Sequence, residues 1–366
     1  MDKKNINTTI KSVVRHILEF HLLTIIAVLA LIIGLMLPLL SRFMRPSDFD
    51  SNYRLVMGTF ARVVVVAADG NTANRCMEAA FAEIQNVDEL MSDYKSDSEI
   101  SEVNRDAFRR AVKVSGSTYQ VLQRSVEFSK LTGGAFDITV GPLVNLLRSA
   151  EKKDVTPGEG EIARAKSKVG FEKLILDEKN RTARFAIDGM RLDLGGIAKG
   201  YAVDKAIQAM QKAGAVGAMV DIGGDIRCFG KPAGGKSHWL IGLQDPKAAQ
   251  DSKFPAPGQS GRDYLLTLKL VNGAVATSGD YQQFVLIEGK RYSHIINRRT
   301  GKSAQGLSSV TIIADNATDA DALATAVSVM GAEKGLVLIE KLPETEAILI
   351  TSQPKYELIK TSGAER

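Results

Sequence analysis

The segment Thr318 to Gly331 reads TDADALATAVSVMG and places two hard oxygen donors, Asp321 and Thr325, four residues apart. On a helix that spacing puts both side chains on one face. A carboxylate and a hydroxyl so aligned suit Mg2+, which takes few protein ligands and completes its shell with phosphate and water. Capping competes for the same residues. Thr318 as N-cap with Asp321 three residues on resembles a capping box, but that leaves the alignment of Thr325 unexplained.

A second stretch, Leu192 to Asp204, reads LDLGGIAKGYAVD. It has neither the spacing of a P-loop nor that of a dinucleotide fingerprint. Gly195 and Gly196 still let a ligand or another segment come close to the backbone. Lys199 falls in the first turn of the following helix, where free N–H groups favour anions; a glycine turn with a surface lysine is the plain alternative. In TGGAFDITVGPLVNLL (Thr132 to Leu147), Asp137 sits between Phe136 and Ile138. A carboxylate in apolar company needs partners, and a ligand's N–H groups and a helix cap both remain open. In RYSHIINRRTG (Arg291 to Gly301), His294 stands at the mouth of a strand beside a polar turn. It can act as an acid or base near pH 7, or be a satisfied core histidine. Together these residues suit a bound pyrophosphate cleaved by phosphoryl transfer.

The elements that must position them come in blocks. Strand patterns are expected at 60–67, 173–178, 183–194, 216–222, 226–229, 238–244, 263–270, 273–276, 283–288, 291–296, 308–314 and 346–351. Helical patterns fall at 73–91, 117–131, 159–167, 200–213, 318–330 and 333–341. Gly141-Pro142 reads as a break, and the Pro-, Gly- and Ser-rich stretch 246–262 as a surface loop. Blocks rather than strict alternation predict an α+β fold of largely antiparallel sheets with packed helices.

Residues 22–40, LLTIIAVLALIIGLMLPLL, form an uncharged apolar run of about the length that a bilayer core requires. Lys3, Lys4, Lys11 and Arg15 precede it, so the positive-inside rule puts the N-terminus in the cytoplasm. A cleaved signal peptide competes, but the run is long for one and no small-x-small site follows. No cysteine lies near its end, so a lipidated cysteine is not the expected anchor. The expected layout is a basic N-terminus at 1–21, a transmembrane signal-anchor helix at 22–40, a linker at 41–53, a catalytic domain at 54–352 and a tail at 353–366. The net charge of +5 sits partly before the apolar run, and no dense basic run with interleaved aromatics follows, which argues against nucleic-acid binding. Two cysteines, Cys76 and Cys228, read as buried free thiols, with a single disulfide still open. There is no CxxC and no HExxH, which argues against zinc or iron.

Nine segments in order resemble the ApbE family of FAD:protein FMN transferases: MGTF (57–60), LMSDYKSDSEISEVN (90–104), GGAFDITVGPLVNLL, LDLGGIAKGYAVD, VDIGGDIRCFG (220–230), GLQDP (242–246), AVATSGDYQQF (274–284), SHIINRRTG and TDADALATA. The resemblance implies an Mg2+-dependent transferase. It would split FAD, join FMN by a phosphoester to a Thr or Ser of a target protein, and release AMP. An FAD pyrophosphatase and a non-catalytic flavin-binding module are the alternatives. It also implies flavin-nucleotide contacts at Met57, Tyr94, Ala135, Phe136, Asp137, Asp193, Lys199 and Ile296. Mg2+ would be held by the Gly196 carbonyl, Asp321 and Thr325. His294 and Lys199 would serve the chemistry. The implied partners are flavin-carrying subunits of membrane or periplasmic redox systems, and the implied place is the outer face of a bacterial inner membrane. The chain departs from the pattern at Asn297 and Arg298, where many relatives carry Asp-Pro, and at Leu147, where a Trp is common. Many relatives are lipoproteins, whereas a membrane helix is expected here.

Overall fold

The computed structural model describes residues 3–43, 46–247, 264–280, 284–352 and 354–364. Most of the expected loop at 246–262 lies outside the described residues. The chain divides into two compact units, Met1–Ser47 and Asp48–Arg366. The first is helix α1 (Lys3–Phe43). Its stretch Arg15–Met36 has a mean hydropathy of 2.5 and is long and apolar enough to cross a membrane. A signal sequence satisfies the same criterion.

The second unit is built on an eight-stranded sheet whose strands lie in chain order: β1 (Ser47–Val56), β2 (Thr59–Ala67), β3 (Gly217–Ile222), β4 (Asp225–Phe229), β5 (Gly273–Gly279), β6 (Leu307–Ala314), β7 (Glu346–Thr351) and β8 (Leu358–Lys360). From β2 onward, neighbouring strands pair antiparallel. β1 turns into β2 through Met57 and Gly58, both at positive φ (48° and 71°), as a two-residue hairpin turn requires. Between β2 and β3 the chain forms α2 (Gly70–Met91), α3 (Glu99–Asp106), α4 (Gly116–Leu131), α5 (Gly141–Lys153), α6 (Glu159–Ser167) and α7 (Ala198–Lys212). Helices α8 (Ala317–Met330) and α9 (Ala332–Ile339) separate β6 from β7.

Strand β2 shows why the sheet is covered on both faces. Val63 and Val65 point one way, Val64 and Val66 the other, and all four are buried. On one side α2 packs on α7, α7 on α8, and α8 on β5 and β6. Ile84, Ile207, Met210, Leu323 and Val327 there join Val63, Val65, Val220 and Ile312. Each such side chain, fully buried, stabilises the fold by about 1.5–3 kcal/mol. On the other side a hairpin of Trp239–Gln244 and Tyr264–Leu270 sets Trp239, Ile241 and Leu243 against Val64, Val66 and Val275. Cys76 belongs to the first layer and Cys228 to the second; both are buried and free.

Several boundaries move from their sequence-based positions. Residues 47–53, expected as linker, begin β1; polar residues suit this edge strand because its outward positions meet water. Leu358–Lys360, expected as tail, add the opposite edge. Gly141-Pro142 starts α5 instead of breaking the chain, since proline's missing N–H costs nothing in a first helical turn. Helix α3 was not foreseen. The strand expected over 183–194 ends at Phe185. Beyond it Arg191 keeps only a bridge to Val140, and the chain runs irregularly into α7.

Candidate active site

Gly195 and Gly196 make the turn that leads into α7. A Cβ on Gly196 would stand 2.7 Å from Thr325 Oγ1, so a glycine lets this turn close onto α8. Asp321, one turn earlier on that helix, is 4% exposed and accepts the Gly200 N–H at 3.1 Å. Lys199 Nζ lies 3.7 Å from the same carboxylate oxygen and forms a short ion pair with Asp225. The structure thus brings Gly196, Lys199, Asp321 and Thr325 together and adds Asp225, which opens β4 after the Gly223-Gly224 turn.

The capping box expected from Thr318 and Asp321 does not form. Asn316 caps α8: its Oδ1 accepts the Asp319 N–H at 2.9 Å, and its amide donates to Asp319 Oδ2 at 3.1 Å. Thr318 is occupied by Asp204 of α7, whose carboxylate accepts its N–H at 2.9 Å and its hydroxyl at 2.5 Å. Asp204 also accepts the Ala317 N–H at 3.0 Å and pairs with Arg227 at 2.7 Å. Capping is done elsewhere, so Asp321 faces the Gly196 turn with no duty at the helix end.

Burial favours the neutral amine of Lys199, but Asp225 and Asp321 outweigh it and hold the amine above its usual range. Burial, then the charge of Asp321, push the Asp225 carboxyl up, against the pull of Lys199. An ammonium flanked by two carboxylates keeps its charge; Asp225 is lifted chiefly by its burial, with repulsion from Asp321 adding to it.

A second cluster lies on the loops around Asp193. Asp193 Oδ1 accepts the Gly195 N–H at 2.8 Å, and Oδ2 accepts from Arg148 Nη2 at 3.3 Å. Arg148 also donates to Asp93 Oδ2 at 2.9 Å. Its guanidinium lies 4.5 Å from the centre of the Tyr94 ring, and Tyr94 is 78% exposed. Burial and the charge of Asp93 push the Asp193 carboxyl up; the Gly195 N–H, Arg148 and His294 pull it down. His294 therefore acts on this cluster from an exposed bend.

The remaining predicted contacts are buried or half-buried. Met57 is half-buried in the β1–β2 turn. Phe136 meets Phe128 edge-to-face at 6.1 Å, and Ala135 is buried. Ile296 packs with Leu143 and Val169. Asp137 departs from its reading as a carboxylate open to a ligand. Its Oδ1 accepts the Thr139 N–H and hydroxyl at 2.8 and 2.7 Å. Its Oδ2 accepts the Phe171 N–H at 3.1 Å and Arg298 Nη1 at 2.8 Å. Four internal donors fill the carboxylate's acceptor sites.

Among the described residues no group of three or more His, Cys, Asp or Glu could hold a metal ion. One carboxylate (Asp321), one hydroxyl (Thr325) and a glycine carbonyl (Gly196) form a small hard-oxygen set, and that set fits Mg2+. Asp225, Asp204, Arg148 and Asp93 were not singled out from sequence. Asp225 lies within VDIGGDIRCFG and Asp204 ends LDLGGIAKGYAVD, but their partners are far away in the chain.

The profile of the ApbE family matches residues 57–349. An FAD:protein FMN transferase of Haemophilus influenzae is 33% identical over 276 residues, 74% of this chain and 77% of that protein. The crystal structure of the ApbE protein from Thermotoga maritima superposes with a TM-score of 0.76 at 31% identity, covering 88% of this chain and 98% of that one. The flavin transferase ApbE from Vibrio cholerae superposes with a TM-score of 0.74 at 30% identity, covering 87% and 99%. Fold and site together define an α+β transferase. The chain belongs to the ApbE family.

Proposed function

We propose that this chain transfers FMN from FAD to a Thr or Ser hydroxyl of an acceptor protein, with AMP as leaving group and Mg2+ required. The observation that carries the proposal is the seating of the Gly196–Lys199 turn on Asp321 and Thr325, more than a hundred residues away. The acceptor oxygen forms a new bond to the FMN phosphorus. The bond from that phosphorus to the bridging oxygen breaks, and AMP departs with that oxygen. His294 is the candidate to take the hydroxyl proton. Lys199 places a fixed positive charge where phosphoryl oxygens carry negative charge. Asp321, Thr325 and the Gly196 carbonyl would hold Mg2+, which when bound neutralises pyrophosphate charge. Met57, Tyr94, Asp193, Ile296 and the backbone of Ala135 to Asp137 would line the flavin nucleotide.

On this reading α1 crosses a bacterial inner membrane once, with its basic end in the cytoplasm. The catalytic unit then faces flavin-carrying subunits of redox systems on the outer side. The test incubates the full-length chain in detergent with FAD, Mg2+ and such a subunit. Flavin fluorescence on the acceptor in a denaturing gel and stoichiometric AMP are expected, and a chelator should abolish both. AMP with no labelled acceptor points instead to a pyrophosphatase. FAD binding without AMP points to a binding module.

A further inference from the structure

Arg298 fills a slot made by two other segments. Its Nη1 donates to Asp137 Oδ2 at 2.8 Å and to Glu172 Oε2 at 3.3 Å; Nη2 donates to Glu172 Oε1 at 3.1 Å. The guanidinium carbon lies 5.0 Å from the centre of the Phe171 ring. Gly134, at φ 80°, lies against it, and a Cβ there would run into the guanidinium. The Asp137 side chain is 0% exposed and that of Arg298 21%. A buried ion pair adds little net stability over an apolar contact; what it does add is a defined geometry.

That geometry joins two walls of the proposed nucleotide site. Ala135 and Phe136 follow Gly134 directly. Ile296 and His294 lie two and four residues before Arg298, with Ile296–Asn297 paired to Lys302–Ser303. We propose that Arg298 is a positioning residue: its guanidinium fork fastens the His294–Ile296 segment to the Gly134–Asp137 turn and so fixes the width of the flavin-nucleotide cleft. This rests on the function proposed above. The hairpin has other fastenings: Lys166 Nζ donates to the Arg299 carbonyl at 2.6 Å, and Lys302 pairs with Glu159 at 2.8 Å. Removing the Arg298 fork should therefore loosen the cleft without unfolding the hairpin.

The test uses the full-length chain in detergent. FAD affinity is read by flavin fluorescence quenching, with chelator and with Mg2+, and initial rates of AMP release give KM and kcat. Arg298→Met is expected to weaken FAD binding and raise KM by about tenfold while kcat stays within about threefold. Arg298→Lys, a point charge without the fork, should recover part of the loss. The pair Asp137→Asn with Arg298→Met leaves no unpaired buried charge and should reproduce the loss if the single variant folds poorly. A lowered melting temperature with unchanged FAD affinity and KM in these variants overturns the proposal and leaves Arg298 a purely structural tie. If the wild-type chain binds FAD but releases no AMP, the transfer reading fails while the affinities still judge Arg298. If it binds no FAD, both fall.

Discussion

At the α7–α8 end of the site, Lys199, Asp225 and Asp321 are enclosed, with side chains 22%, 2% and 4% exposed. At the other end Tyr94 is 78% exposed on the guanidinium of Arg148, itself 31% exposed. The enclosed end holds fixed charges in a medium where they act strongly and need no reorganisation. The open end offers a ring, a cation and backbone to something that arrives from solvent. On the function proposed above, chemistry would be preorganised in the enclosed region and recognition left accessible in the open one, so substitutions in the two regions should split kcat from KM.

The largest split is expected for Asp321→Ala. AMP release should fall by a factor on the order of 100 to 1,000, with FAD affinity by fluorescence titration changed only a few-fold. A normal kcat with lost affinity would exchange the roles of the two regions. Gly196→Ala comes next. Its Cβ would stand 2.7 Å from Thr325 Oγ1 and push the turn off α8; turnover should drop about 100-fold. Asp204→Ala acts through the helix rather than the substrate. It leaves Arg227 and the first N–H groups of α8 without their partner, so denaturant melts should show a loss of about 3–5 kcal/mol. Tyr94→Leu is the mildest: KM for FAD should rise roughly three- to tenfold with kcat unchanged. A fall in kcat there would mean that the open end also takes part in the chemistry.

Much of this was legible locally. The alternation in FARVVVVA and the helical spacing of Ala73, Cys76, Ala80 and Ile84 are periodic signals, and the elements lie where those signals fall. The i,i+4 relation of Asp321 and Thr325 needed only a helix. What was not legible depends on partners far apart in sequence. Asp204 reaches α8 across 113 residues and Arg148 reaches Asp93 across 55, and no local pattern marks either. Asp137 was visible as a carboxylate among apolar neighbours, but whether it meets a ligand or the protein depended on Arg298, 161 residues on. Gly141-Pro142 was misplaced for a different reason: the same dipeptide ends one element and begins another, and only the packing of α5 decides between them.

The central claim is that the Gly196 turn and α8 share one Mg2+. Electron paramagnetic resonance of the full-length chain titrated with Mn2+, in place of Mg2+ and with FAD bound, tests it directly. The account predicts a bound Mn2+ signal in the wild type. It predicts loss of that signal in Asp321→Asn and weakening in Thr325→Val, while FAD still binds. Equal Mn2+ affinity in all three chains would contradict it.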